Sequence, residues 1–309
     1  MGFGRRVWER RMPSLIARLI KLGARARIKR RPKSGPALVK HLRATLNSPA
    51  FPLRLPKNVT LSRFAGVDVH GESLSTANPN VAVLYLHGGG FIAGHPRVYR
   101  NLAAQLAAKL DGHVVVPDYR LAPEHPFPAA IDDALAAYAY LRGHGYAPHE
   151  ITVAGDSAGG GLALALLLAL RDRGEPMPRC AVVFSPFADH SLEAASIEAN
   201  DASCDMFTRD LILAGRGIYV RLDQRREPYA SPVFADFTGL PPLLITVSEQ
   251  ECLRDDSYGV LSRAREANVS AELISRQDMP HVWPIFVPYM PEAMADLERA
   301  VTFIRRHAP

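Results

Sequence analysis

Ser157 sits in Gly155-Asp156-Ser157-Ala158-Gly159, entered by the apolar run Ile151–Ala154 and left by the leucine-rich run Leu162–Leu170. A strand that turns sharply into a helix on Gly-x-Ser-x-Gly holds its serine out at the top of a sheet. Gly155 and Gly159 stand where so tight a turn leaves no room for side chains. The Ala158 N–H, at the start of the following helix, then points at any oxyanion formed beside Ser157. Alone, the pentapeptide also fits a glycine-rich turn around a phosphate. Its partners elsewhere in the chain favour nucleophilic acyl transfer.

His87-Gly88-Gly89-Gly90-Phe91 follows the continuous apolar run Val81–Leu86. Consecutive glycines let the backbone turn and present N–H groups unshielded by Cβ. With Ala158 they would hold the oxyanion of an acyl-transfer intermediate. A serine also needs a base, and the base's imidazole needs an acid to fix its tautomer. The chain order expected for this strand–turn–helix context is serine, acid, histidine. The histidines after Ser157 are His190, His281 and His307. His190 comes too soon after the strand Ala181–Ser185, and His307 lies at the C-terminal tail. His281, in the loop Gln277–Trp283 after a late strand, is the expected base.

Glu249, Glu251, Asp255 and Asp256 compete for the role of acid. Asp255 and Asp256 fall in the first turn of a helix, where acids suit the dipole. Glu249 is still at a strand exit. Glu251, thirty residues before His281, is preferred, with Asp255 second.

Elements able to position these groups alternate along the chain. A hairpin over Val59–Ser75 around Gly66 precedes the strand Val81–Leu86. Strands at His113–Val116, Ile151–Ala154, Ala181–Ser185, Leu243–Val247 and Ala271–Ser275 are separated by helical stretches. Those stretches fall near Arg97–Leu110, Ala129–Arg142, Ser157–Arg173 and Arg254–Asn268, and Pro291–Arg306 closes the chain. Such alternation predicts an α/β fold, a mostly parallel central sheet flanked by helices. Residues 57–309 form the expected catalytic body. The stretch 187–227 interrupts the alternation with its own helix, about Thr208–Val220. Lying above the strand ends, it reads as part of a lid, since so long a surface loop is uncommon.

The 309 residues are 48% hydrophobic and carry a net charge of +6, unevenly spread. Residues 1–43 hold fourteen basic residues and one acid, a balance of +13, against −7 for the remainder. Within this arm Met12, Leu15, Ile16, Leu19, Ile20 and Gly23 recur at helical spacing between Arg11, Arg18, Lys21 and Arg25. The amphipathic helix so predicted either covers an apolar cleft of the same protein or lies on a membrane surface. The first reading is preferred, because apolar stripes generally find internal partners. Arg18 and Lys21 break the apolar stretches, so no secretory signal is read, and no run approaches a membrane span. Cys180, Cys204 and Cys252 are too scattered for a disulfide framework, and the histidines lack ligand spacing. A cytoplasmic protein without metal or cofactor is expected.

His87–Phe91, Gly155–Gly160, Asp118–Pro128 and Glu251–Asp256 resemble the motifs of the hormone-sensitive-lipase branch of the α/β-hydrolases, over roughly residues 60–305. The resemblance implies the α/β-hydrolase fold and a carboxylesterase with Ser157, His281 and an acid as triad. It implies Gly89 and Gly90 as the oxyanion donors beside Ala158, with Gly88 shaping the turn. Asp118–Pro128 becomes a structural loop, and residues 1–56 a helical cap. The family pattern has Asp-Pro-Leu where this chain has Glu251-Cys252-Leu253, a departure that bears on the acid. The implied substrate is a small-molecule ester with a short- to medium-chain acyl group. Phe91, Phe207, Trp283 and Phe286 are the candidate pocket walls. A lactone or amide hydrolase, a membrane-surface lipase and a non-catalytic binder remain as alternatives. No nucleic-acid partner is expected. Weak membrane contact through the basic arm and a homodimer stay open.

Overall fold

Short β-branched runs and helical stretches each take the form their pattern requires. The computed structural model describes residues 6–9, 12–29 and 34–307. It begins with strand β1 (Arg6–Glu9), helices α1 (Leu15–Ala24) and α2 (Gly35–Leu46), and strands β2 (Thr60–Gly66) and β3 (Val69–Ser75). Then come β4 (Ala82–Leu86), α3 (Arg100–Leu110), β5 (His113–Pro117), α4 (Ala129–Gly143), β6 (Ile151–Asp156), α5 (Ala158–Asp172) and β7 (Cys180–Phe184). The short α6 (Ser196–Ala199) and α7 (Arg209–Tyr219) precede β8 (Leu243–Ser248), α8 (Arg254–Glu266), β9 (Ala271–Arg276) and α9 (Pro291–Arg306).

The strands form one sheet in the order β1-β9-β8-β7-β6-β4-β5-β3-β2. β2 and β3 pair antiparallel, as do β3 and β5, and every other pairing is parallel. Parallel strands need crossovers, which the helices supply on both faces. Alternate residues of each strand serve opposite faces: Leu84 and Leu86 pack with α4, α5 and α8, while Val83 and Tyr85 pack with α3 and α9. Helix α5 is buried from Ala158 to Leu170. That accounts for its apolar character on every side, since it has no solvent face. Cutting Leu166 back to alanine there would cost about 2–5 kcal/mol.

The N-terminal segment meets the body above the strand ends. Ile28, Leu38, Val39 and Leu42 cluster with Ile92, Ala93 and Leu211 of α7. Its cations find the body's acids: Lys21 and Arg25 pair with Asp205, and Arg43 with Glu124 at 2.6 Å. The charge asymmetry between arm and body is thus partly internal complementarity. β1 was not legible in the sequence, because its parallel pairing with β9 joins segments far apart in the chain. Residues 1–5, 10, 11, 30–33, 308 and 309, including Arg11 of the predicted amphipathic stretch, lie outside the described residues.

Candidate active site

Ser157 joins β6 to α5 with φ +51° and ψ −122°. For a residue bearing Cβ this conformation costs about 1–3 kcal/mol, and surrounding contacts must impose it. The Ser157 N–H donates to the Phe184 carbonyl at 2.9 Å, and its own carbonyl accepts from Phe187 N–H at 2.8 Å. Glycine is required on both sides. A Cβ at Gly155 would fall 2.2 Å from the Gly159 carbonyl oxygen, and one at Gly159 would fall 2.0 Å from that of Leu86.

The glycine loop after β4 is tied to this turn through Asp156. Its buried carboxylate accepts from Tyr85 OH at 2.9 Å, Gly88 N–H at 3.0 Å and Tyr99 OH at 3.2 Å. Burial pushes the Asp156 carboxyl up to about 6. Gly88 N–H is therefore engaged, whereas the N–H groups of Gly89, Gly90 and Ala158 have no acceptor among the described residues. Ala158 lacks one because the first N–H groups of a helix have no intrahelical partner. Asp118–Pro128 braces the loop from below: Tyr119 OH donates to the His87 carbonyl at 2.6 Å, and Ala122 N–H to that of Phe91 at 2.9 Å. Burial lowers the His87 imidazole to about 4, so this histidine stays neutral near pH 7.

Of the histidines after Ser157, His281 reaches the cleft. Its Nδ1–H donates to Glu251 Oε2 at 2.6 Å, both side chains being 2% exposed, and its buried Nε2 has no hydrogen-bond partner. Ser248 Oγ ties the two loops together by donating to the Met279 carbonyl at 2.7 Å, and Ser248 N–H donates to Glu251 Oε1 at 3.2 Å within the acid's own loop. The other carboxylates are engaged elsewhere. Glu249 accepts from Tyr258 OH at 2.7 Å, Asp255 from Ser196 N–H at 2.9 Å, and Asp256 from the N–H groups of Ala188 and Asp189 at 2.8 and 2.9 Å. His190 is buried against Phe187, with ring centres 4.3 Å apart, and burial lowers its pKa to about 3. His307 caps the C-terminal end of α9.

Ser157 and His281 share one cleft of about 130 Å³. Leu42, Ile92, Met206, Leu211, Leu253 and Ile285 contribute to its apolar walls, and Arg216 is the one cation among the lining residues. Helix α7 presents Leu211, Ile212, Gly215 and Arg216 to the cleft that Ser157 also lines. Arg216 Nη1 donates to the carbonyls of His190 and Ser191 at 3.2 and 2.8 Å.

Phe207 lines the cleft, its ring edge-on to His281 at 5.0 Å. The other three aromatic residues expected as walls are absent from the lining. Phe91 stacks on Tyr219 at 3.8 Å inside the core, and Phe286 packs edge-on against Phe51 at 6.4 Å. Trp283 is fully buried, its Nε1–H donating to Asp296 at 2.7 Å. Each ring found a neighbour from a distant segment. The sequence reading also passed over Asp156, Tyr85 and Tyr99. The aspartate beside the serine was a signal, whereas nothing local marks the tyrosines. Among the described residues no group of His, Cys, Asp and Glu could hold a metal ion. No helix there is long and apolar enough to cross a membrane.

Residues 83–285 match the family model of the α/β-hydrolase fold. The chain is 43% identical to an acetyl-hydrolase of Streptomyces hygroscopicus, over 72% of this chain and 75% of that protein. It is 35% identical to an esterase of Acinetobacter venetianus, over 80% and 84% of the two chains. Among solved structures it resembles an esterase from the bacterial hormone-sensitive lipase family, with a TM-score of 0.85 and 33% identity over 96% of this chain and 100% of the other.

Proposed function

The chain belongs to the hormone-sensitive-lipase branch of the α/β-hydrolases and is a serine carboxylesterase-like hydrolase, and on that premise we propose that Ser157, His281 and Glu251 cleave short- to medium-chain carboxylic esters through an acyl-enzyme. Ser157 Oγ attacks the ester carbonyl while His281 Nε2 takes its proton. Glu251 holds Nδ1–H, fixes the tautomer and stabilises the imidazolium. The N–H groups of Gly89, Gly90 and Ala158 receive the oxyanion. The tetrahedral intermediate collapses as the alkoxide leaves with the proton from Nε2. A water then gives its proton to Nε2 and attacks the acyl carbon, and the second tetrahedral intermediate collapses as Ser157 Oγ leaves with that proton from Nε2, releasing the carboxylic acid and free Ser157.

One observation carries this reading: the Glu251–His281 bond of 2.6 Å leaves Nε2 without a partner in the cleft that Ser157 lines. Asp156 acts as a positioning residue, joining the serine turn to the loop of donors. Strand β1 takes Arg6–Glu9 of the expected cap 1–56 into the central sheet, and of the remainder the described residues of α2 join 187–227 as a cap over the cleft, a role supported by Leu42, Phe207 and Leu211 in its walls. The cleft volume of about 130 Å³ is well below the roughly 300 Å³ at which drug-sized pockets begin. That size, and a relative named for acetyl hydrolysis, support small acyl groups.

The test is hydrolysis of p-nitrophenyl esters from acetate to palmitate by wild type and Ser157→Ala. Turnover should peak at short chains and fall by several orders of magnitude in the variant. Activity within about twofold of wild type in Ser157→Ala would reject Ser157 as nucleophile.

A further inference from the structure

The apolar stripe of α1 has two edges with different fates. Ile16, Ala17 and Ile20 join the core cluster that also holds Val98 and Ile285, both of which line the cleft. Met12, Leu15, Leu19 and Leu22 stay outside, 80, 74, 54 and 62% exposed. Half of the large apolar side chains exposed among the described residues therefore fall within eleven consecutive positions. Leu15, Leu19 and Leu22, at i, i+4 and i+7, share one face of the helix. A contiguous stripe of this kind marks an interaction surface, whereas scattered exposed leucines do not.

The surrounding charge indicates what covers it. Arg18 and Arg27 are exposed and make no ion pair among the described residues. In the sequence Arg10 and Arg11 precede the helix, and Arg30, Arg31 and Lys33 follow it. The neighbouring acids are engaged: Asp205 and Asp278 with Lys21 and Arg25, and Glu292 with Ser14, which caps α1. Among the described residues of this face, Met12, Leu15, Leu19 and Leu22 remain exposed beside Arg18 and Arg27, an apolar and cationic surface. Apposing this face to that of a second copy would bring like charges together, whereas an anionic lipid surface complements both features.

We propose that the outer face of α1 docks on an anionic membrane surface, with Met12, Leu15, Leu19 and Leu22 at the boundary of headgroups and acyl chains and Arg18 and Arg27 against the phosphates. At ten residues the helix is too short to span a bilayer and lies in its plane. Because the inner edge of the same helix packs beside residues of the cleft wall, docking brings the cleft to the lipid surface. Docking needs no turnover, so its test is independent of the ester-hydrolysis reading.

The full chain is floated with phosphatidylcholine vesicles, with and without phosphatidylserine, and its thermal melting is followed as a fold control. Wild type should bind the phosphatidylserine vesicles, and added salt should weaken binding. The triple variant Leu15→Ser, Leu19→Ser, Leu22→Ser should lose about tenfold or more of the partitioning while melting as wild type does. Arg18→Glu with Arg27→Glu should lose roughly fivefold for each charge removed. Three results would overturn the proposal: no vesicle binding by wild type, equal binding by the triple variant, or a concentration-dependent dimer that the leucine substitutions abolish. The last would make this face a self-association surface.

Discussion

Replacing Glu251 with glutamine keeps the size of the side chain and removes its charge, so it isolates the electrostatic part of the proposed mechanism. In the reaction His281 becomes an imidazolium beside the Glu251 carboxylate, 2.6 Å away in a pair almost closed to solvent. At an effective dielectric near 20, opposite unit charges about 4 Å apart attract by about 4 kcal/mol. That corresponds to a rate factor of about 10³. A glutamine amide can also donate to Nδ1, which places the imidazole proton on Nε2 and blocks the base. The combined loss in kcat should reach about 10³ to 10⁴. Glu251→Asp keeps the charge but draws it back by about one methylene, a displacement that can cost about 10². Asp255→Asn, whose carboxylate is bonded to Ser196 N–H and not to the imidazole, should stay within about threefold of wild type. The assay is p-nitrophenyl acetate hydrolysis with circular dichroism as a check on folding. A fall of less than about tenfold in Glu251→Gln, or a larger loss in Asp255→Asn, would refute the assignment of the acid.

Three further outcomes follow from the same geometry. The Asp156 carboxyl titrates near 3.9 in an unfolded chain and, through burial, at about 6 in the fold. The folded state therefore keeps its proton longer, and stability attributable to this group falls as pH rises from about 4 to 6. Relative to Asp156→Asn, the wild-type unfolding free energy in urea should drop by up to about 3 kcal/mol across that window; parallel profiles would remove the group from the pH response. Ser157→Gly should abolish turnover yet stabilise the fold by about 1–2 kcal/mol, as the strained φ is relieved; a variant no more stable than wild type would show that the turn stores no such strain. Gly155→Ala, whose Cβ would lie 2.2 Å from the Gly159 carbonyl oxygen, should prevent stable folding. Gly90→Ala meets nothing within 4 Å and should cost only about 1 kcal/mol for its positive φ. Equal melting temperatures for these two variants would contradict the packing assigned to the turn.

The amino-acid sequence alone determined the fold class and the position of the serine turn, because both depend on short-range patterns. Short β-branched apolar runs alternating with longer helical stretches point to buried parallel strands, and the strand–Gly-x-Ser-x-Gly–helix succession leaves the backbone few conformations. Chain order then narrowed the expected base to His281. Tertiary structure alone decided which loop carboxylate meets that imidazole. Local pattern prefers Glu251 over Glu249, Asp255 and Asp256 without fixing it, and the contact that distinguishes them spans thirty positions. Tertiary structure also drew Phe91 and Trp283 into the core and left Phe286 half-buried against Phe51, since an aromatic ring packs against neighbours supplied by other segments. The same holds for α1, whose periodic stripe specified an apolar face but not how much of it the body would cover. Periodicity records which residues avoid water, whereas the partner that removes them from water is set by chain segments brought together only on folding.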